Sequence, residues 1–104
     1  MAKKIKWSVQ SHKDRKRILQ FWIKHNKSKV YSIKLNLLFK HAIQIISKFP
    51  KIGKITDIKN VRAKIVRNYY IFYKETKNEI FIISICDAKQ DPVNIETKVK
   101  KIMS

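Results

Sequence analysis

Cationic and aromatic side chains alternate through the second half of the chain, and they are the residues best suited to chemistry. Lysine and arginine bind phosphates and aromatic rings stack on bases, so a surface that combines them is typical of RNA recognition. Arg62 is the strongest single candidate, because its planar guanidinium can hold a phosphate through two parallel hydrogen bonds. The alternative for each aromatic side chain is a place in the core, and for Arg62 it is a structural ion pair. The candidates are Lys51, Lys54, Arg62, Lys64, Arg67, Tyr69, Tyr70, Phe72, Tyr73 and Lys89.

Other chemistries find little support in the sequence. His12, His25 and His41 lie far apart without an H-x-x-x-H spacing, and there is one cysteine, so no metal site is predicted. A single glycine excludes a glycine-rich nucleotide-binding loop, and the 7 acidic residues form no evident carboxylate pair for hydrolysis. We therefore expect neither a metal nor a cofactor.

Two amphipathic helices are predicted in the first half of the chain. Residues 4–8 alternate polar and apolar side chains, which indicates a short strand before them. Ser11 and Asp14 have the spacing of a capping box for the first helix, and Asn26 is suited to end it. Apolar residues at intervals of three and four predict a second, longer helix that ends before Pro50. The very short link between the helices favours an antiparallel hairpin.

Three short strands are predicted after an irregular stretch at residues 51–60. They are residues 61–66, 69–74 and 80–86. Tight turns join them, and Asn68 is expected to take a positive φ in the first turn, while Gly53 is expected to supply an unusual backbone angle in the loop. Asp91-Pro92 predicts the start of a short helix within residues 92–104.

The predicted fold class is α+β, within a single domain spanning residues 1–104. An N-terminal strand is followed by a helical hairpin and a three-stranded antiparallel meander. The helices are expected to pack on one face of a small twisted sheet. The other face is expected to be more exposed, and there the cationic and aromatic candidates would converge.

The formal net charge is +18, from 25 lysines and arginines against 7 acidic residues. Such a protein attracts polyanions, which include nucleic acid, the ribosome and acidic proteins. The alternative is that the abundance of lysine and isoleucine reflects an AT-rich genome. The single Cys86 suits a reducing cytosol, and no signal peptide or membrane span is apparent, so a cytoplasmic protein with no membrane partner is expected.

Several segments in order resemble the RelE/ParE superfamily, the toxins of bacterial type II toxin–antitoxin pairs. They are Ile5-Lys6-Trp7-Ser8, the Pro50/Gly53-Lys54 loop, Val61-Arg62, Asn68-Tyr69-Tyr70-Ile71-Phe72-Tyr73 and Asp87-Ala88-Lys89-Gln90-Asp91-Pro92. The resemblance implies a RelE/ParE-like fold and a cognate acidic antitoxin. It also implies one of two activities. RelE-like members cleave mRNA on the ribosome as endoribonucleases, whereas ParE-like members inhibit DNA gyrase.

The nuclease activity implies roles for particular residues of this chain. Lys54, Arg62 and Lys89 would form a phosphate clamp, and Asp87 or Tyr73 would transfer the proton. Lys51, Lys64, Arg67, Tyr69 and Tyr70 would bind RNA. Many nuclease members carry Arg or His after the final strand, where this chain has Asp87 and Lys89, so the gyrase alternative stays open. The basic excess favours the ribosome-dependent nuclease.

Overall fold

The computed structural model describes residues 2–103 and confirms the predicted α+β class. The elements are β1 Lys4–Trp7, α1 Val9–Asn26, α2 Val30–Lys48, β2 Lys54–Ile55, β3 Val61–Val66, β4 Tyr69–Glu75, β5 Glu79–Asp87 and α3 Pro92–Met103. Within the described residues the strands form one sheet in the order β1-β5-β4-β3-β2. Met1 and Ser104, the limits of the predicted domain, lie outside the described residues.

The predicted meander forms the centre of this sheet. β3, β4 and β5 are antiparallel neighbours, and β1 runs parallel to β5. The sheet also contains β2, which lies in the stretch predicted to be irregular. Its two residues, Lys54 and Ile55, pair with Ala63 and Arg62, and they are too few to show the alternation that predicts a strand.

The hairpin covers one face of the sheet, which we call the hairpin face. Apolar side chains of α1 and α2 pack there against alternate residues of the strands. Leu35, Phe39 and Ile46 of α2 are fully buried. The main members of this core from the sheet are Tyr69, Ile71, Tyr73, Ile80, Ile82 and Ile85.

The opposite face, the α3 face, is less open than the sequence predicts. Ile95 and Val99 of α3 pack against Phe72, Ile83 and Cys86, because the apolar stripe of this helix needs a partner surface. Burial raises the pKa of the Cys86 thiol, as expected of a structural cysteine.

Local predictions of caps and turns are shifted by a few residues. The cap of α1 is Ser8, not Ser11: the Ser8 hydroxyl accepts a hydrogen bond from the Ser11 amide at 2.9 Å. Lys27, not Asn26, takes the left-handed conformation after α1. Arg67, not Asn68, has the positive φ between β3 and β4, since this two-residue turn requires it only at its first central position.

Gly53 has a different role from the one predicted. Its φ is not positive, so it supplies no unusual backbone angle. Instead, a Cβ at this position would lie 2.5 Å from the Tyr73 hydroxyl oxygen. Glycine is therefore needed for the close approach of the loop to β4.

Among residues 2–103, no helix combines the length and the apolar character needed to cross a membrane.

Candidate functional site

A cleft of about 390 Å³ opens on the α3 face between β2, the loop after it and the start of α3. We call it the α3 cleft. Its lining is mainly apolar or neutral, and includes Tyr70 and Phe72 of β4. Its charged lining residues are Lys54, Asp57 and Glu96, so carboxylates outnumber cations within the described part of the cleft. The remaining lining residues are Ile55, Thr56, Ile58, Ala63, Ala88, Gln90, Pro92 and Ile95.

Tyr73 and Arg62 form a separate cluster on the hairpin face, where they pair across β3 and β4. Tyr73 is fully buried; its hydroxyl donates to the Pro50 carbonyl at 2.6 Å and accepts from the Gly53 amide at 2.9 Å. Arg62 donates from Nη1 to the carbonyls of Gly53 at 2.9 Å and Lys51 at 3.3 Å. Both side chains therefore hold the loop between α2 and β2.

The same burial affects the acidity of Tyr73. Loss of solvent raises the pKa of its hydroxyl above 10.0, although the Gly53 amide and the Arg62 charge oppose that effect. A phenol in this environment keeps its proton at neutral pH. Its two hydrogen-bond positions are already occupied by backbone groups.

The strand register divides the predicted site between the two faces of the sheet. Arg62 and Lys64 pair with Tyr73 and Ile71, which belong to the hairpin-face core. Lys54 pairs instead with Ala63, which packs on the α3 face. The single concave surface expected from sequence is thus not assembled, because adjacent strand residues point to opposite sides.

A second cavity, of about 320 Å³, gathers part of the predicted set near the Arg62 cluster. Lys51 and Arg62 line it together with Glu75. Its other lining residues are Ile55, Asn60 and Val61. It carries more cations than carboxylates, unlike the α3 cleft.

The other predicted residues lie apart from this cavity. Tyr69 is buried on the hairpin face and accepts a hydrogen bond from Trp22 Nε1 at 2.8 Å; burial raises its pKa. Arg67 is exposed at the turn between β3 and β4. Asp87 ends β5, and its carboxylate accepts a hydrogen bond from the backbone amide of Lys89 at 2.8 Å.

The most connected charged residue is Asp14, which sequence analysis assigned to a cap. Its carboxylate is fully buried and bridges α1, β5 and α3. Burial alone would raise its pKa, but its hydrogen-bond donors outweigh burial and hold the pKa below the ordinary value of 3.8. The principal donors are the Ser84 hydroxyl at 2.7 Å, the Gln10 amide at 2.9 Å, Lys98 Nζ at 2.9 Å and the Ile85 amide at 3.1 Å.

The spacing of residues along α1 could have predicted that Asp14 is buried in a hydrogen-bond network. Asp14 lies three residues after Ser11 and four before Ile18, and all three are on the buried side of α1. An acid on the buried side of a helix requires hydrogen-bond partners, whereas a capping acid lies at the exposed first turn.

No group of three or more potential metal ligands occurs among residues 2–103.

Comparison with known proteins identifies the family. Residues 5–92 match the model of the ParE toxin of the parDE type II toxin–antitoxin system. A comparison with curated protein sequences found no match.

Three solved structures share the fold at low sequence identity. A chromosomal ParDE system from P. aeruginosa has a TM-score of 0.74 and 13% identity, over 85% of this chain and 98% of that one. A mutant of the E. coli toxin RelE in the free state has a TM-score of 0.70 and 14% identity, over 100% of both chains. The M. tuberculosis RelBE2 toxin–antitoxin complex has a TM-score of 0.58 and 11% identity, over 84% of this chain and 99% of that one. From the match over residues 5–92, the chain belongs to the ParE toxin family of type II toxin–antitoxin systems.

Proposed function

We propose that this toxin inhibits DNA gyrase by binding it, and that it does not cleave RNA. The observation that carries the proposal is the composition of the α3 cleft. Cleavage by phosphoryl transfer needs several cations around the reacting phosphate to stabilise its developing charge. Among the described lining residues of the cleft, Lys54 is the one cation, whereas Asp57 and Glu96 are both carboxylates. The two carboxylates would repel that phosphate.

The residues expected to catalyse cleavage have other roles in this proposal. Arg62 and Tyr73 are positioning residues that hold the loop between α2 and β2. The hydroxyl of Tyr73 would have to break two backbone hydrogen bonds before it could transfer a proton to RNA. Asp87 and Lys89 define the loop after β5 through their own hydrogen bond.

An apolar cleft is suited to a protein partner. The centres of protein interfaces are poor in charged residues and accept aromatic or aliphatic side chains. Ile65 and Val93 are 49% and 67% exposed on β3 and α3, and they extend the apolar surface available on this side of the molecule. A side chain of gyrase inserted into the cleft would be surrounded by Tyr70, Phe72 and Ile95.

Ribosome-dependent mRNA cleavage is the second candidate. The cavity beside Arg62 and Lys51 favours it, because two cations there face a single carboxylate among the described lining residues. A phosphate bound in this cavity would contact the guanidinium of Arg62 and the ammonium of Lys51. Lys64 would extend the RNA-binding surface along β3, and Arg67 would extend it at the neighbouring turn.

An antitoxin is the proposed inhibitor in the cell. Both ParDE and RelBE2 are toxin–antitoxin systems by description, and this chain shares their fold. The charge of +18 indicates that the antitoxin segment in contact is acidic. Gyrase and ribosome are both cytoplasmic, so the proposal places the toxin there.

The test compares DNA supercoiling, mRNA cleavage and a cleft variant. Purified toxin is expected to inhibit supercoiling by gyrase and to leave mRNA on translating ribosomes intact. Ala88→Trp, which fills the α3 cleft from an exposed position, should abolish inhibition, and Lys77→Trp in the β4–β5 turn is the matched control.

In cells, pulse-labelling minutes after induction should show DNA synthesis stopping before protein synthesis. If protein synthesis stops first and ribosome-bound mRNA is cut, the gyrase proposal is overturned. Arg62→Gln should then remove the cleavage.

A further inference from the structure

The helical hairpin has no exposed carboxylate. Asp14 is the single acidic residue between Val9 and Lys48, and it is fully buried. The other 6 of the 7 acidic residues all lie between Asp57 and Glu96. The solvent-exposed surface of the hairpin is therefore purely cationic in its charged groups.

The cations of α1 lie along one side of the helix. Lys13, Lys16 and Lys24 are exposed and, at helical spacing, project from the side opposite buried Ile18. Arg17 lies beside them; its side chain is 66% exposed and reaches the Asp14 carboxylate only at 3.4 Å. We call these four residues the α1 cationic stripe.

The surroundings of this stripe differ from those of the lysines near the acidic residues of the second half of the chain, because no exposed carboxylate lies on the hairpin. On α3, Lys100 is paired with Glu96 at 2.8 Å, and Lys3 is paired with Glu75 at 2.8 Å. For Lys13, Lys16 and Lys24 the structure of residues 2–103 contains no such ion pair. Like charges kept together on one helix repel one another, so they are best explained by a partner that supplies the negative charge.

An exposed aromatic ring adjoins the stripe. Phe21 is 53% exposed and stacks on His25, with ring centroids 5.5 Å apart and an interplanar angle of 11°. Cations next to exposed aromatic rings are the combination that holds a nucleic-acid backbone and stacks on unpaired bases. An acidic protein would be drawn by the charge but would not need the stacked ring.

We propose that the α1 cationic stripe binds the phosphate backbone of nucleic acid, at a surface separate from the α3 cleft. The stripe spans about 16 Å from Lys13 to Lys24 at 1.5 Å per residue, which is long enough to contact several successive phosphates. It recognises phosphate without reading sequence. This role is independent of which target the toxin inhibits.

The experiment measures binding of purified toxin to a fluorescent duplex DNA and to a single-stranded RNA of the same sequence over a range of salt. The test variant is Lys13→Gln/Lys16→Gln/Lys24→Gln, which keeps helix-forming residues. The control is Lys4→Gln/Lys59→Gln/Lys77→Gln, which removes the same charge from exposed positions outside the hairpin. The test variant should lower the slope of log affinity against log salt by about 3, roughly one for each lost phosphate contact. The control should lower it by less than about 1.

Phe21→Leu distinguishes the two nucleic acids. It should weaken binding of the single-stranded RNA several-fold, because it removes the surface on which unpaired bases stack. Binding of the duplex DNA should be unchanged, because duplex bases are already stacked on one another. Equal salt slopes for test and control variants would overturn the proposal. So would a test variant that loses affinity for an acidic antitoxin peptide but keeps its affinity for both nucleic acids.

Discussion

Tyr73 is the residue through which the sheet fixes the loop between α2 and β2. Its hydroxyl is a donor to Pro50 and an acceptor from Gly53, so both backbone groups are satisfied in a buried place. The contact leaves no room for a side chain at Gly53. The position of the loop therefore depends on both the Tyr73 hydroxyl and the absence of a side chain at Gly53.

Gly53→Ala is expected to lower the free energy of unfolding by about 1–3 kcal/mol, because the new methyl group would overlap the ring and hydroxyl of Tyr73. Chemical denaturation measures the change. Tyr73→Phe should also destabilise the protein, since it leaves the Gly53 amide without its acceptor. The double variant should lose less free energy of unfolding than the two single variants together, because the closest clash of the new methyl group is with the Tyr73 hydroxyl, which Tyr73→Phe removes. Strict additivity would contradict this clash, because it would mean that the new methyl group and the Tyr73 hydroxyl do not interact.

Asp14 contributes stability that depends on pH. Its pKa is lower in the folded protein than the ordinary 3.8, so its contribution is fully present above that pH and is lost as the pH falls through the folded pKa. Asp14→Asn should cost about 2–4 kcal/mol at neutral pH, because the carboxylate accepts through both oxygens and an amide has only one. The amide NH₂ must then face donors, either Ser84 and Ile85 or Gln10 and Lys98.

Unfolding measured from pH 2 to pH 7 tests this contribution. The difference between wild type and Asp14→Asn should shrink toward acid. Arg17→Gln is the control and should have little effect, since the guanidinium is largely exposed and lies 3.4 Å away. A difference that stays constant with pH would contradict the role of the carboxylate charge.

At the scale of elements, α3 is held by its apolar stripe and by the ion pair of Lys98 with Asp14. Val99 is fully buried and Ile95 nearly so, and Lys98 between them reaches Asp14 at 2.9 Å. Lys98→Gln should therefore loosen α3 more than the rest of the molecule. Amide hydrogen exchange in α3 should accelerate by roughly tenfold, because losing a partly buried ion pair lowers the free energy of local opening by about 1–2 kcal/mol. Lys100→Gln, whose pair with Glu96 is exposed, is the matched control. Equal acceleration in α2 would mean that α3 does not open separately.

Sequence patterns predicted the elements well wherever a long periodic signal existed. Apolar spacing predicted the hairpin, and short apolar runs separated by tight polar turns predicted the three-stranded meander. The patterns failed where tertiary contacts decide the outcome: β2 is a strand because β3 pairs with it, and Asp14 is buried because Ser84 and Ile85 supply donors. The residues of the predicted site lie on two faces of the sheet for a similar reason. Side chains of Arg62 and Lys54 belong to opposite faces, and this depends on a register that composition does not contain.

At the scale of the whole molecule, the net charge of +18 acts on any partner before contact is made. If this charge serves recognition of an acidic antitoxin segment, it should speed encounter more than it slows dissociation. We expect the association rate constant for a peptide from the acidic segment to fall at least tenfold between 50 and 300 mM salt, because the Debye length shortens to well below 10 Å. The dissociation rate constant should change much less.

Stopped-flow fluorescence provides both constants, and Trp22, which donates to Tyr69 at the hairpin, is an intrinsic reporter. The control Lys4→Gln/Lys59→Gln/Lys77→Gln separates total charge from the α1 cationic stripe. Steering by the whole field predicts that this variant and Lys13→Gln/Lys16→Gln/Lys24→Gln slow association of the acidic peptide by similar factors, since each removes three charges. An association rate that does not respond to salt would instead mean that the lysines reflect composition and that buried contacts alone select the antitoxin.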